Sequence, residues 1–186
     1  MILIVLALLC VLSVPLTGGK LSLITKVRLR GLWLPMLALA LQVVITTIAP
    51  AGHRSLHEAV HISTYVMLAL FLLANRRLPG VWVMALGTLS NGLAIALNGG
   101  VMPAARTAER IAGLHLGDGF HNSAPVAHPV ALWLGDIIPW PGPLANVLSA
   151  GDCLIFAGTV YLLRRVCAQR SGRSMHLTSE LPVDAV

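Results

Sequence analysis

Two Gly-Asp pairs, at 135–136 and 151–152, stand in the segment LGDIIPWPGPLANVLSAGD, residues 134–152, which carries no other charged residue. Carboxylates in an apolar segment can bind cations, accept protons as general bases, or cap backbone N–H groups. Asp152 is the more informative of the two. If the apolar run from Leu144 to Leu163 is one helix entering a bilayer at Leu144, Asp152 lies about 12 Å deep at 1.5 Å per residue. An ionised carboxylate there costs roughly 2.5–3.5 kcal/mol, so it is expected to face protein and find a donor. Ser149, three residues earlier, shares its face. The structural alternative is an acid that caps loop backbone. Asp136 has the same alternative, accepting N–H bonds from its own turn.

Amides from other apolar runs fall at a matching level. Asn91 and Asn98, seven residues apart, share a helix face. Gln42, His61 and Thr64 occupy the same outer third of their runs, whereas the inner halves are almost wholly apolar. This asymmetry predicts an outward-opening polar pocket. Its ligand-binding candidates are Gln42, Asn91, Asn98, Asp136 and Asp152, with Asp152 and Asp136 as catalytic candidates for a reaction the sequence does not identify. The plainer reading is interhelical glue at about 0.6 kcal/mol per polar contact, and it applies first to Gln42, Ser90 and Thr64.

Six of the seven histidines, at 53, 57, 61, 115, 121 and 128, fall on this same side. His57, Glu58 and His61 spell HEAVH, an H-E-x-x-H pattern. In a zinc peptidase the two histidines would be ligands and the glutamate a general base, with a third ligand from elsewhere. Against this, Ser55 and Glu58 also read as a capping box that starts a helix, and five-residue patterns arise by chance in a His-rich chain. Zinc on His57 and His61 is the weaker alternative. No G-x-S-x-G, Walker or dinucleotide fingerprint is present.

The elements that position these groups follow from composition. The chain is 56% hydrophobic and 11% charged, with mean hydropathy +0.82; soluble domains average about 25% charged residues. A bilayer is the natural solvent for such a chain. Net charge of +6 does not point to nucleic acid, because the basic residues form short clusters between apolar runs. Cys10, Cys153 and Cys167 have neither metal-ligand spacing nor a disulfide pattern.

Five apolar runs appear: Met1–Leu16, Leu32–Ile48, His57–Leu73, Val81–Leu97 and Leu144–Leu163. Each approaches the length of a spanning helix, and the first reads as an uncleaved anchor because its positive charge follows the run. If all five span, Lys20, Lys26, Arg28, Arg30, Arg76, Arg77, Arg164, Arg165, Arg170 and Arg173 share one side, leaving three of the 13 basic residues on the other. The positive-inside rule then puts the N-terminus outside and the C-terminus in the cytoplasm of a bacterial membrane. The expected fold is an all-α integral membrane protein with five transmembrane helices over residues 1–165. An outer loop, 98–143, holds a short interfacial helix over 104–116 and an interfacial or re-entrant element over 131–140. The tail, 166–186, is expected to be disordered.

The motifs NGGVMP at 98–103, LGDIIP at 134–139 and the Gly151-Asp152 pair, together with RGLWL at 30–34 and RLPG at 77–80, resemble those of an uncharacterised family of small bacterial polytopic membrane proteins. That family is catalogued as a domain of unknown function and is frequent in actinobacteria. The resemblance implies a five-helix or similar bundle and no known activity, and the clustered histidines are not part of its pattern.

Three functions compete. Small size, Gly-rich helix faces and missing catalytic signatures favour a membrane-embedded accessory or scaffold subunit for another membrane protein or enzyme. An outward-facing pocket that binds or modifies a cation, lipid headgroup or peptide is the alternative. A small transporter is third, since five helices without a repeat are few for alternating access. The expected surroundings are lipid and a protein partner in the membrane, with no nucleic acid.

Overall fold

A computed structural model describes residues 2–45, 54–114 and 123–168. The expectations for His53, His115, His121 and the tail from residue 169 onward lie outside the described residues. The chain is mostly helical. The helices are α1 (Ile2–Leu16), α2 (Trp33–Val43), α3 (Arg54–Ala74), α4 (Val81–Leu97), α5 (Arg106–Ala112) and α6 (Ala150–Cys167). Two small two-stranded sheets accompany them. β1 (Met102–Pro103) pairs in parallel with β2 (Ser123–Ala124), and β3 (Asp136–Trp140) pairs antiparallel with β4 (Asn146–Ser149).

The long helices form an open row. α2 packs on α3, α3 on α4, α4 on α6, and α6 on α1. The closest of these contacts is the antiparallel crossing of α4 and α6. Gly87 faces Gly151 there, and Gly80 faces Gly158 about two helical turns away. A methyl on Gly151 would overlap the Asn91 amide and the Gly87 carbonyl. The glycines thus let the two backbones touch, as small residues do between helices. At the outer row end, Cys10 and Val14 of α1 close a small core with Leu163 and Cys167.

Backbone links gather the basic segments at one end of the row. Lys20 N–H donates to the Cys167 carbonyl at 2.9 Å, joining the start of the 20–30 segment to the end of α6. Arg30 is tied to Asn75, at the end of α3, through both its N–H and its carbonyl. The opposite end carries β3, β4 and α5, with every acidic residue among the described ones: Glu58, Glu109, Asp136 and Asp152.

Two sequence expectations change, and a third gains its local form. The last helix begins at Ala150 instead of Leu144, because residues 146–149 pair with β3 and Ser149 caps the helix. Ser55 is not an N-cap, since α3 already includes Arg54. The 131–140 stretch, read as an interfacial or re-entrant element, takes no long-helix form. It is a 3-10 turn at Leu132–Leu134 leading into β3. The fold is therefore helical with β additions and not all-α. A short helix in the long loop is present as α5. Among the described residues one helix, Ser55–Ala74, is long and apolar enough to cross a membrane, with mean hydropathy 1.5. The apolar helices at Val5–Leu16, Trp33–Val43 and Val81–Leu97 are shorter.

Candidate functional site

The polar cluster grows from the start of α6. Ser149 ends β4 in extended conformation, with ψ 164°, and so can cap the helix that follows. Asp152 N–H donates to Ser149 Oγ at 3.0 Å, and Ser149 N–H donates back to Asp152 Oδ2 at 3.0 Å. This reciprocal capping box satisfies two N–H groups that a helix start leaves open, and the carboxylate also complements the positive helix end. Gly151, between them, admits Asn91 from α4. Asn91 Nδ2 donates to Asp152 Oδ1 at 2.8 Å, and Ser149 Oγ donates to Asn91 Oδ1 at 2.9 Å. Both Asp152 oxygens thus accept a hydrogen bond.

Two more groups border this knot. β3 pairs Asp136 with Ser149 and buries it. Tyr65 of α3 hydrogen-bonds the Asn91 side chain and lies within electrostatic reach of both Asp152 and Asp136. His61, one turn earlier, meets the Tyr65 ring edge-on at 5.7 Å between centroids. Asn91 and Ser149 are essentially inaccessible, at 2% and 0% exposure, while Asp152 is half-buried. One phenol, one amide and two carboxylates therefore meet where α3, α4, α6 and the hairpin join. Such a group can hold a cation or pass a proton; equally, it can lock four elements together.

The remaining predicted residues do not join it. Asn98 clasps the long loop: its Nδ2 donates to Val130 O at 2.9 Å and its Oδ1 accepts from Val130 N–H at 2.9 Å. Gln42 sits half-buried on α2, outside the α4–α6 contact. His57 Nε2 bonds the Ile45 carbonyl at 3.1 Å and His61 Nδ1 bonds the Gly100 carbonyl at 2.7 Å. Carbonyls only accept, so these ring nitrogens are the protonated ones. The HEAVH frame here ties α3 to the end of α2 and to the NGG turn. Gly100, with φ of +84°, lies flat against Glu58, where a side chain would collide. Among the described residues no group of three or more His, Cys, Asp or Glu is arranged to hold a metal. Two of the sequence motifs also meet in space: Gly135 packs on Pro103, and Ala105 N–H donates to the Asp136 carbonyl at 2.9 Å.

Sequence reasoning missed Tyr65 and the role of Ser149 as cap. The first carried a signal, since Tyr65 lies one turn beyond His61 on the same face. The second carried one too: Ser149-x-x-Asp152 before an apolar run is a capping-box pattern.

A family model described as a family of unknown function, DUF5317, matches residues 26–164. An uncharacterized protein of Thermotoga maritima is 36% identical over 97 residues, which is 51% of this chain and 56% of that protein. The chain thus spans little more than half the length of that curated relative. No solved structure matches the chain.

Proposed function

We propose, from the premise that this chain belongs to the DUF5317 family of unknown function, that it is a membrane-embedded accessory or scaffold subunit for another membrane protein. The observation that carries this reading is the open helix row. α2 and α1 sit at its two ends, and the main long-helix contact of each is with α3 and α6 respectively. Apolar side chains line the outward faces: Trp33, Met36 and Leu39 on α2, and Trp82, Leu86, Leu89 and Leu93 on α4 are all exposed. Exposed apolar faces of this extent mark a lipid or partner surface. The polar groups that could do chemistry are already hydrogen-bonded across helices, which suits a rigid scaffold. Five membrane-inserted helices in a bacterial cytoplasmic membrane, N-terminus outside and C-terminus cytoplasmic, fit the gathering of Lys20, Arg30, Arg76, Arg77, Arg164 and Arg165 at one end of the row.

The test is gentle purification of the tagged full chain, with mass spectrometry of whatever remains bound. A stoichiometric membrane-protein partner is the expected result. A stable, monodisperse chain with no partner overturns the reading. Reporter fusions at the C-terminus check the topology, and an extracytoplasmic signal there sinks the orientation.

A second reading has one specific support. Tyr65 hydrogen-bonds Asn91 and lies within electrostatic reach of two carboxylates, a set of groups suited to binding a cation or a lipid headgroup from the outer side. Under this reading Asp152→Asn abolishes ligand binding while leaving partner retention intact; under the scaffold reading it leaves ligand assays unchanged.

A further inference from the structure

The end of the row opposite the polar cluster holds a cavity of about 510 Å³. Arg28 and Arg30 border it from the segment before α2, and Arg76 and Arg77 from the turn after α3. A buried asparagine fixes the two segments to each other. Asn75 Oδ1 accepts from Arg30 N–H at 2.9 Å, and Asn75 Nδ2 donates to the Arg30 carbonyl at 2.8 Å and to the Phe71 carbonyl at 2.8 Å. Asn75 thus pairs with Arg30 as one strand pairs with another, and holds both pairs of arginines around one space. The turn itself is fixed by Arg76 N–H to Leu73 O at 3.3 Å and Leu78 N–H to Asn75 O at 3.0 Å. All four arginine side chains are exposed. No acid among the described residues lies at this end, because Glu58, Glu109, Asp136 and Asp152 all belong to the other.

We propose that this four-arginine cavity is a binding site for a phosphate group, either the headgroup of an anionic phospholipid or a free phosphate. Arginines scattered after membrane helices need nothing more than topology to explain them. Four arginines bordering one space, with their segments clamped by Asn75 and no acid among the described residues at this end, are a different arrangement. Guanidinium forks match phosphate oxygens two at a time, and the cavity is of the size that small ligands occupy. Leu73 and Ala74 also line it, an apolar edge on which a glycerol or acyl start can rest. The phosphate chemistry stands independently of the scaffold reading; only the lipid source depends on membrane insertion at this end.

The test uses the full chain. In nanodiscs of phosphatidylcholine doped with phosphatidylglycerol, native mass spectrometry reads which lipid the protein retains; in detergent, inorganic phosphate is titrated alone. Arg28→Gln with Arg77→Gln removes two charges from the cavity. Lys26→Gln with Arg164→Gln removes the same charge from the same end outside it. The cavity variant is expected to lose phosphatidylglycerol retention, or phosphate affinity, by roughly tenfold, and the outside variant by less than about threefold. Binding of phosphatidylglycerol but not phosphate identifies a lipid site; phosphate binding without lipid preference identifies a free-phosphate site. Arg28→Lys with Arg77→Lys keeps the charge and recovers part of the binding, with far-ultraviolet circular dichroism certifying the fold of each variant. Equal losses in the cavity and outside variants, or no binding of either probe to the unaltered chain, overturns the proposal.

Discussion

Removing the Asn91 side chain tests whether the polar cluster holds the α4–α6 crossing together. In Asn91→Ala, Ser149 Oγ loses the acceptor it meets at 2.9 Å and Asp152 Oδ1 loses a donor at 2.8 Å. The two losses are unequal. Ser149 is 0% exposed, so water cannot replace Asn91 there, whereas half-buried Asp152 can recruit water. A buried hydroxyl left without its partner costs about 1–3 kcal/mol, and an ionised acceptor that water partly rescues adds about 1 kcal/mol. The expected total is therefore about 2–4 kcal/mol, before any cavity term. Polar contacts between membrane helices average only about 0.6 kcal/mol, so a value in that range separates a structural knot from ordinary glue. The assay is reversible unfolding in mixed micelles, run as a double-mutant cycle with Ser149→Ala. In the Ser149→Ala background the hydroxyl is absent, and Asn91→Ala should cost about 1 kcal/mol less than in the parent chain. Ser149→Ala alone also loses the cap, at about 1 kcal/mol. Additivity of the two substitutions within about 0.3 kcal/mol would refute the coupling.

Three further outcomes follow from other contacts. Gly151→Ala forces a methyl against the Asn91 amide and the Gly87 carbonyl; it is expected to cost at least about 1–3 kcal/mol, and an unchanged unfolding midpoint would show that the crossing is looser than described. Burial pushes the Glu109 carboxyl above its ordinary value of 4.5, with the Arg106 guanidinium partly offsetting that. The folded state then holds the proton more tightly than the unfolded state, so the contribution of Glu109 to stability falls as pH rises from 4.5 through the raised value; melting curves across that window should show the slope in the parent chain and lose it in Glu109→Gln. Asn98→Ala frees the Val130 N–H, now held at 2.9 Å, and hydrogen exchange of the 125–131 peptide should quicken by roughly fivefold, the equivalent of about 1 kcal/mol; unchanged exchange means the clasp does not hold the loop.

Much of the architecture was legible from residue types. Val81–Leu97 is one helix at the bounds its apolar run suggests, because RLPG before it and NGG after it are strong turn chemistry. The level shared by Asn91 and Asp152 was read from a helix entering at Leu144; α6 in fact starts at Ala150 and puts Asp152 in its first turn, and the two side chains meet at 2.8 Å because Gly151 admits Asn91 there. Segregation of Lys and Arg between alternate runs was also readable, and the described basic segments come to one end. Local pattern could not choose between two equivalent caps. Ser55-x-x-Glu58 and Ser149-x-x-Asp152 carry the same signature, yet only the second caps a helix. The chain before Ser149 finds a strand partner in β3, which holds Ser149 in the extended conformation that a cap requires.

The sequence alone determined that this protein is a set of apolar helices joined by short basic turns and one long loop, since period, charge and turn residues act locally. Only the tertiary structure decided what the polar side chains do. It turned Asp152 into half of a capping box, gave the histidines to backbone carbonyls, brought Tyr65 to the carboxylates, and closed four arginines around one cavity through Asn75. Apart from the capping box, which Ser149 and Asp152 form three residues apart, each of those outcomes depends on a partner at least 12 residues away along the chain, and nothing local encodes which partner arrives.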